Sequence, residues 1–219
     1  MFRTKICGVT TPEDALMVAE LGVDAIGLNF YKKSKRYVSA DRGAEITAAL
    51  PAGVIKVGVF VNSSASAIRQ VAETAKLDVI QLHGDEPPTF LGELSDFLLL
   101  RAFRTEGSLQ AVKDYLSDAP KSPQAVLLDA YDPHEYGGTG KTLYWPDLAD
   151  AGLDICDAGG AVLPLILAGG LNPANVAQAI SEAQPHGVDV ASGVESEPGK
   201  KCRKLCEAFL NSAKSAFPA

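Results

Sequence analysis

The chain has 219 residues, 47% of them hydrophobic, with a formal net charge of −7. That length and apolar content suit one large core. The acidic balance argues against a nucleic-acid or anionic-membrane partner, since each calls for a basic face. The longest apolar runs are strand-sized, well short of the roughly 18 residues of a membrane span, and no signal-peptide pattern opens the chain. A soluble, cytoplasmic protein is expected.

Taken in order, Arg3 to Cys7 predicts a strand that breaks at Gly8, and Thr10-Thr11-Pro12-Glu13 is a helix-entry signal. The helix that follows runs from Pro12 to Leu21 and stops at Gly22. Val23 to Phe30 reads as a strand, Lys32 to Arg36 as a basic loop, and Ala40 to Leu50 as a helix closed by Pro51. Val54 to Val61 is strand-like, and Asn62-Ser63-Ser64 caps a helix to Ala75. Strands at Val79 to Leu82, Phe97 to Phe103 and Ala125 to Asp129 alternate with helical patterns near Pro88 to Leu94 and Ser108 to Leu116. A glycine-rich loop over Tyr136 to Gly140 and a short helix around Trp145 to Ala149 follow. Leu163 to Ala168 is then a strand, Pro173 to Glu182 a helix, Val188 to Ala191 the last strand and Pro198 to Ser212 the last helix.

About eight strand–helix units in a row, with no linker between them, predict a closed parallel (β/α)8 barrel of the TIM type, one domain over residues 1–219. An open doubly wound sheet typically has fewer units and a Gly-rich first turn, which this chain lacks. The four cysteines are too few and too irregular for a disulfide framework. Cys202 and Cys206 stand one helical turn apart, but His83, His134 and His186 are not at ligand spacing to them or to each other. No metal site is predicted.

In such a barrel, function sits at the carboxyl ends of the strands and in the loops after them. Lys5 and Cys7 share one face of the first strand, and a nearby ammonium favours a thiolate able to take a proton from carbon. Read alone, Cys7 is more readily a small buried apolar residue, as free cysteines usually are. Lys32, Lys33, Lys35 and Arg36 make a local positive field, with Arg36 the fork that suits a carboxylate. His83 ends the fourth strand, the fifth carries Arg101 and the sixth ends in Asp129. Desolvation at the end of so apolar a strand is expected to raise the Asp129 pKa and suit it as an acid. Gly169-Gly170 and Ser192-Gly193, after the last two strands, offer open backbone N–H groups where barrels often hold phosphate. Asp189 either pairs with Lys5 or reaches the ligand.

These residues resemble one family, phosphoribosylanthranilate isomerase of tryptophan biosynthesis. The likeness runs through Lys5-Ile6-Cys7-Gly8, Lys35-Arg36-Tyr37-Val38, Gln81-Leu82-His83-Gly84, Leu128-Asp129-Ala130 and Tyr136-Gly137-Gly138-Thr139-Gly140. It ends at Leu167-Ala168-Gly169-Gly170-Leu171-Asn172 and Ser192-Gly193-Val194-Glu195. The resemblance implies an Amadori rearrangement without a cofactor, on a small anionic phosphosugar-anthranilate substrate. Cys7 is then the general base and Asp129 the general acid, Arg36 holds the anthranilate carboxylate, and Gly170, Ser192 and Gly193 hold the phosphate. Gly169, His83, Arg101 and Asp189 complete the expected substrate-binding set, and a monomer or homodimer is expected. Ala191 stands where the family often has serine, and Lys35 where proline is frequent. The related isomerase of histidine biosynthesis shares the barrel but pairs two aspartates, against Cys7 here. A non-catalytic phosphosugar-binding barrel would be indifferent to loss of Cys7 or Asp129.

Overall fold

Alternation of side chains along short apolar strands builds two cores in the computed structural model, which describes residues 1–105, 109–130 and 155–218. Its strands are β1 (Thr4–Cys7), β2 (Ala25–Asn29), β3 (Ile55–Phe60), β4 (Val79–Leu82), β5 (Leu98–Thr105), β6 (Ala125–Ala130), β7 (Leu165–Leu167) and β8 (Gly187–Val190). They pair in parallel, each with the next, and β8 returns to β1, giving the closed eight-stranded barrel that the alternating pattern predicts. The helices are α1 (Pro12–Glu20), α2 (Ala40–Ala49), α3 (Ala65–Thr74), α4 (Phe90–Glu93), α5 (Gln110–Asp118), α6 (Val176–Ala183) and α7 (Arg203–Ala216). The glycine-rich loop at 136–140 and the short helix expected at 145–149 lie outside the described residues.

Ala25, Val57, Val79, Leu100, Ala102, Leu127 and Ile166 point inward and fill the barrel. Their chain neighbours Ile6, Ile26, Leu28, Val126, Leu128, Val188 and Val190 point outward into the larger core. A one-residue slip of any strand would exchange these two sets. Helix entries follow the sequence signals: Thr11, Ser39 and Ser64 each accept from a backbone N–H in the first turn of α1, α2 and α3.

Several helices start later than their sequence suggests, α6 and α7 most of all. Asn172 Oδ1 accepts from Ala174 N (2.8 Å), and Asn175 Oδ1 accepts from Asn172 N (2.8 Å). The Asn175 and Val176 N–H groups turn back to the Asn172 carbonyl, and α6 begins at Val176. Past β8, Ser192–Val194 makes a single 3₁₀ turn, and a small hairpin of β9 (Glu195–Glu197) and β10 (Lys200–Lys201) replaces the expected start of α7. Its turn is Pro198-Gly199, with φ +87° at the glycine, where other residues rarely go. Thr10 Oγ1 fastens the hairpin to the loop after β1 by donating to the Gly199 carbonyl at 2.6 Å.

One pair inside the barrel is charged. Register places Lys5 beside Asp189, and Lys5 Nζ meets Asp189 Oδ2 at 2.8 Å, so the pairing anticipated from the sequence is present. Lys5 has no exposed surface. Burial disfavours its charge, but attraction to Asp189 and Cys7 outweighs that and lifts its pKa above the ordinary lysine value. Asp189→Asn would leave a buried ammonium without its counter-charge and should lower stability by about 3–5 kcal/mol, measured by denaturant unfolding. Unchanged stability would show the pair to be dispensable.

Candidate active site

A pocket opens at the carboxyl ends of the strands, where barrels of this kind place their sites. Strand periodicity decides what reaches it. Cys7 arrives from β1, Asn29 from β2, Val59 from β3, Gln81 and His83 from β4 and Asp129 from β6. Gly169 and Gly170 follow β7, and Asp189 and Ser192 come from β8 and its loop. The expected acid, base, histidine and both glycine-bearing loops therefore converge on one space.

Cys7 is partly exposed on the pocket side. Gly27, opposite Cys7 in the β1–β2 register, makes room for it. A Cβ at Gly27 would stand 2.7 Å from Cys7 Sγ and 3.1 Å from Lys5 Cε. Sequence reading overlooked Gly27 because its role is steric and appears only when the strands pair. The thiol departs from expectation in sign: burial pushes its pKa above the ordinary value, and Lys5 and Lys201 only partly offset this. A thiol so raised keeps its proton at neutral pH.

Across the pocket, His83 Nε2 lies 3.4 Å from Asp129 Oδ2, without hydrogen-bond geometry. Gln81 Nε2 stands 3.2 Å from His83 Nδ1 and donates to it, so the proton of a neutral ring belongs on Nε2, facing Asp129. Among the described residues, three buried polar atoms at the pocket have no hydrogen-bond partner: Gln81 Oε1, His83 Nε2 and Asp189 Oδ1. Such orphans are costly in a closed core but suit a ligand rich in hydroxyl groups.

The basic loop divides. Lys32, Lys33 and Lys35 are exposed, while Arg36 is buried and lines the pocket beside Ser34. Gly8 permits this: its φ is +75°, and a Cβ there would meet Arg36 Cδ at 2.3 Å. Glu195 orients the guanidinium through a two-pronged contact, Nε to Oε1 at 2.8 Å and Nη2 to Oε2 at 2.7 Å. In the loop after β7, Gly169 and Gly170 have φ of +85° and +63°. Gly193 does not line the pocket. It packs where a Cβ would approach the Leu171 carbonyl to 1.9 Å, so it lets the loops after β7 and β8 meet.

Arg101 is a correction. Leu100 and Ala102 take the inward positions of β5, which turns Arg101 outward. It donates to the carbonyls of Leu82 (2.9 Å) and Gly84 (3.1 Å), pairs with Glu86 at 3.1 Å and lies over the Phe103 and Tyr115 rings. Arg101 thus clamps the turn that carries His83 instead of lining the pocket.

Residues 4–212 match the family model described as N-(5'phosphoribosyl)anthranilate (PRA) isomerase. The chain belongs to that family. A relative from Geobacter sulfurreducens, named N-(5'-phosphoribosyl)anthranilate isomerase, is 43% identical over 98% of this chain and 99% of its own. The crystal structure of the Thermotoga maritima phosphoribosyl anthranilate isomerase superposes with a TM-score of 0.85 at 38% identity, covering 98% of this chain and all (100%) of that one. A structure of the isomerase in complex with reduced 1-(o-carboxyphenylamino)-1-deoxyribulose 5-phosphate gives a TM-score of 0.81 at 37% identity, with coverage of 98% and 100%.

Two outcomes follow for this family member. Alkylation of Cys7 by iodoacetamide, read on its peptide by mass spectrometry, should rise with pH through a midpoint above that of an ordinary thiol; a midpoint below it would mean that the cations prevail over burial. Gly27→Ala should displace the sulfur and lower turnover of the family substrate by about 10²-fold, with circular dichroism unchanged. Full activity in that variant would show that Cys7 has room to spare.

Proposed function

We propose that this chain catalyses the Amadori rearrangement of N-(5'-phosphoribosyl)anthranilate to 1-(2-carboxyphenylamino)-1-deoxyribulose 5-phosphate in tryptophan biosynthesis. The observation that carries the residue assignment is that Cys7 on β1 and Asp129 on β6, strands separated by β7 and β8 in the closed barrel, line one pocket. Between them lies the place for a pentose. Asp129 donates its proton to the ring oxygen as the anthranilate nitrogen pushes its lone pair toward C1, so the C1–O bond breaks and an iminium ion forms. Cys7, as thiolate, removes the proton from C2, and those electrons neutralise the iminium to an enolamine. Tautomerisation to the ketone completes an isomerisation with no net gain or loss of protons.

The remaining groups fit the two ends of that substrate. Arg36, already oriented by Glu195, receives the anthranilate carboxylate. The backbone at Gly169, Gly170 and Ser192, drawn together by Gly193, receives the phosphate. His83 and Asp189 present atoms that are unpartnered among the described residues to the sugar hydroxyls, and Lys5 holds positive charge beneath the sulfur. No step calls for a cofactor or metal, and among the described residues no cluster of His, Cys, Asp and Glu is arranged to hold an ion.

The test is turnover of the phosphoribosyl anthranilate by the pure protein, followed through loss of its fluorescence. Cys7→Ala and Asp129→Asn should each lower kcat by about 10²–10⁴-fold while substrate is still bound. Tight binding without turnover in the unaltered chain would instead favour a phosphosugar-binding barrel.

A further inference from the structure

The geometry points to Lys201 and Glu195 as a positioning pair that holds the base-bearing end of β1 in fixed relation to the Arg36 grip, an inference that rests on the acid–base reading above. Lys201 ends β10 and does not line the pocket, and its side chain is wholly buried (0% exposed). An ammonium group has three N–H donors. Lys201 Nζ meets three acceptors: the Cys7 carbonyl at 2.6 Å, Glu195 Oε1 at 2.8 Å and the Ala191 carbonyl at 3.1 Å. A buried charge survives only when so fully met.

Two of these acceptors sit where strand pairing runs out. The β1–β8 register ends at Ile6 with Val190. The next residue on each side, Cys7 and Ala191, is joined to its neighbour through Lys201 instead of through a backbone ladder. Lys201 thus extends the seam of the barrel by one step, to the two residues that bear the thiol and lead into the Ser192-Gly193 loop. The third acceptor, Glu195, spends its other contacts on the Arg36 fork. A buried line of alternating charge therefore connects Arg36, Glu195 and Lys201 to the Cys7 peptide. The backbone N–H of Lys201 is itself held by Asp14 Oδ2 at 2.9 Å, so the hairpin that carries the pair is anchored on α1.

The same placement acts on the sulfur. Around the Cys7 thiol stand Lys5 on its own strand, Asp189 on β8 and Lys201 on β10, with Arg36, His83 and Asp129 lining the same pocket. Lys5 and Lys201 favour the thiolate, while Asp189 and burial oppose it. Burial depresses the pKa of Lys201 itself, with Glu195 working against that fall. Burial likewise disfavours the Glu195 charge, yet Arg36 and Lys201 hold its pKa below the usual carboxylate value. Removing either member should therefore disturb the other and, through it, that other's own partner: Arg36 beyond Glu195, and the Cys7 peptide beyond Lys201.

The experiment compares the unaltered chain with Lys201→Met and Glu195→Gln by the pH dependence of Cys7 alkylation, read on the Cys7 peptide, and by kcat and KM measured separately. In Lys201→Met, alkylation of Cys7 at neutral pH should slow by roughly ten-fold, its midpoint should move upward, and kcat should fall. In Glu195→Gln, which preserves shape, KM should rise by about ten-fold with kcat held within about two-fold, as expected when a carboxylate grip loses its orientation. A merely structural role would lower thermal stability in both variants and leave the Cys7 midpoint and KM of the folded protein unchanged; that result overturns the inference. Should Lys201→Met fail to fold, the Cys7 alkylation midpoint in Glu195→Gln decides: a midpoint displaced from that of the unaltered chain supports the pair, and an unchanged midpoint refutes it. Absence of turnover in the unaltered chain would defeat the isomerase reading and leave the Cys7 comparison intact.

Discussion

Closure of β1 against β8 is the contact on which the other features depend. The first and last strands are far apart in the chain, and their pairing sets Lys5 against Asp189 and brings the Cys7 end beside the loop that begins at Ala191. Without that seam the sulfur and the backbone of the Ser192 loop would have no common reference. A parallel ladder supplies only backbone contacts, and it ends before the residues that matter. Side chains from the loop region complete it: Lys201 reaches both strand ends, and Glu195 carries the connection on to Arg36.

The barrel interior shows how a polar site rests on an apolar plug. Lower positions are filled by Ala25, Val57, Val79, Leu100, Leu127 and Ile166. Toward the carboxyl ends the inward positions become Cys7, Gln81, Asp129 and Asp189, with the Lys5 charge set beneath them. The same period of two that packs the plug also aims the chemistry. The penalty is electrostatic. A thiol placed against such walls loses solvation, and two lysines do not fully restore it, so readiness to act as a base is a balance between burial and charge. Glycines set the other limit, since Gly27 and Gly8 clear space for the Cys7 sulfur and the Arg36 stem.

Fold and family were largely legible in the residues, and the reasons are local. Strands β1 to β8 announce themselves as short apolar runs, and Thr11, Ser39 and Ser64 mark helix entries by side-chain chemistry that acts within one turn. Where local signals competed, boundaries moved. The paired asparagines delay α6, and Pro198-Gly199 reads as a helix entry in sequence but folds as a hairpin turn, because Thr10 and Asp14 from the opposite end of the chain hold it.

By itself, the chain's order of residues determined the period of two along the strands, the strand–helix alternation and the presence of a thiol, a carboxyl group and two glycine-bearing loops at strand ends. It also carried the motif set that resembles the family. Tertiary structure alone decided which way Arg101 faces, because an inward or outward position depends on the neighbours of β5 in the closed sheet. It decided the direction of the Cys7 pKa, which depends on water excluded by walls from other strands. And it brought forward Gly27 and Lys201, whose contacts with Cys7 cross from another strand or from the far end of the chain. Each of these depends on distances through space, and a linear pattern records only distances along the chain.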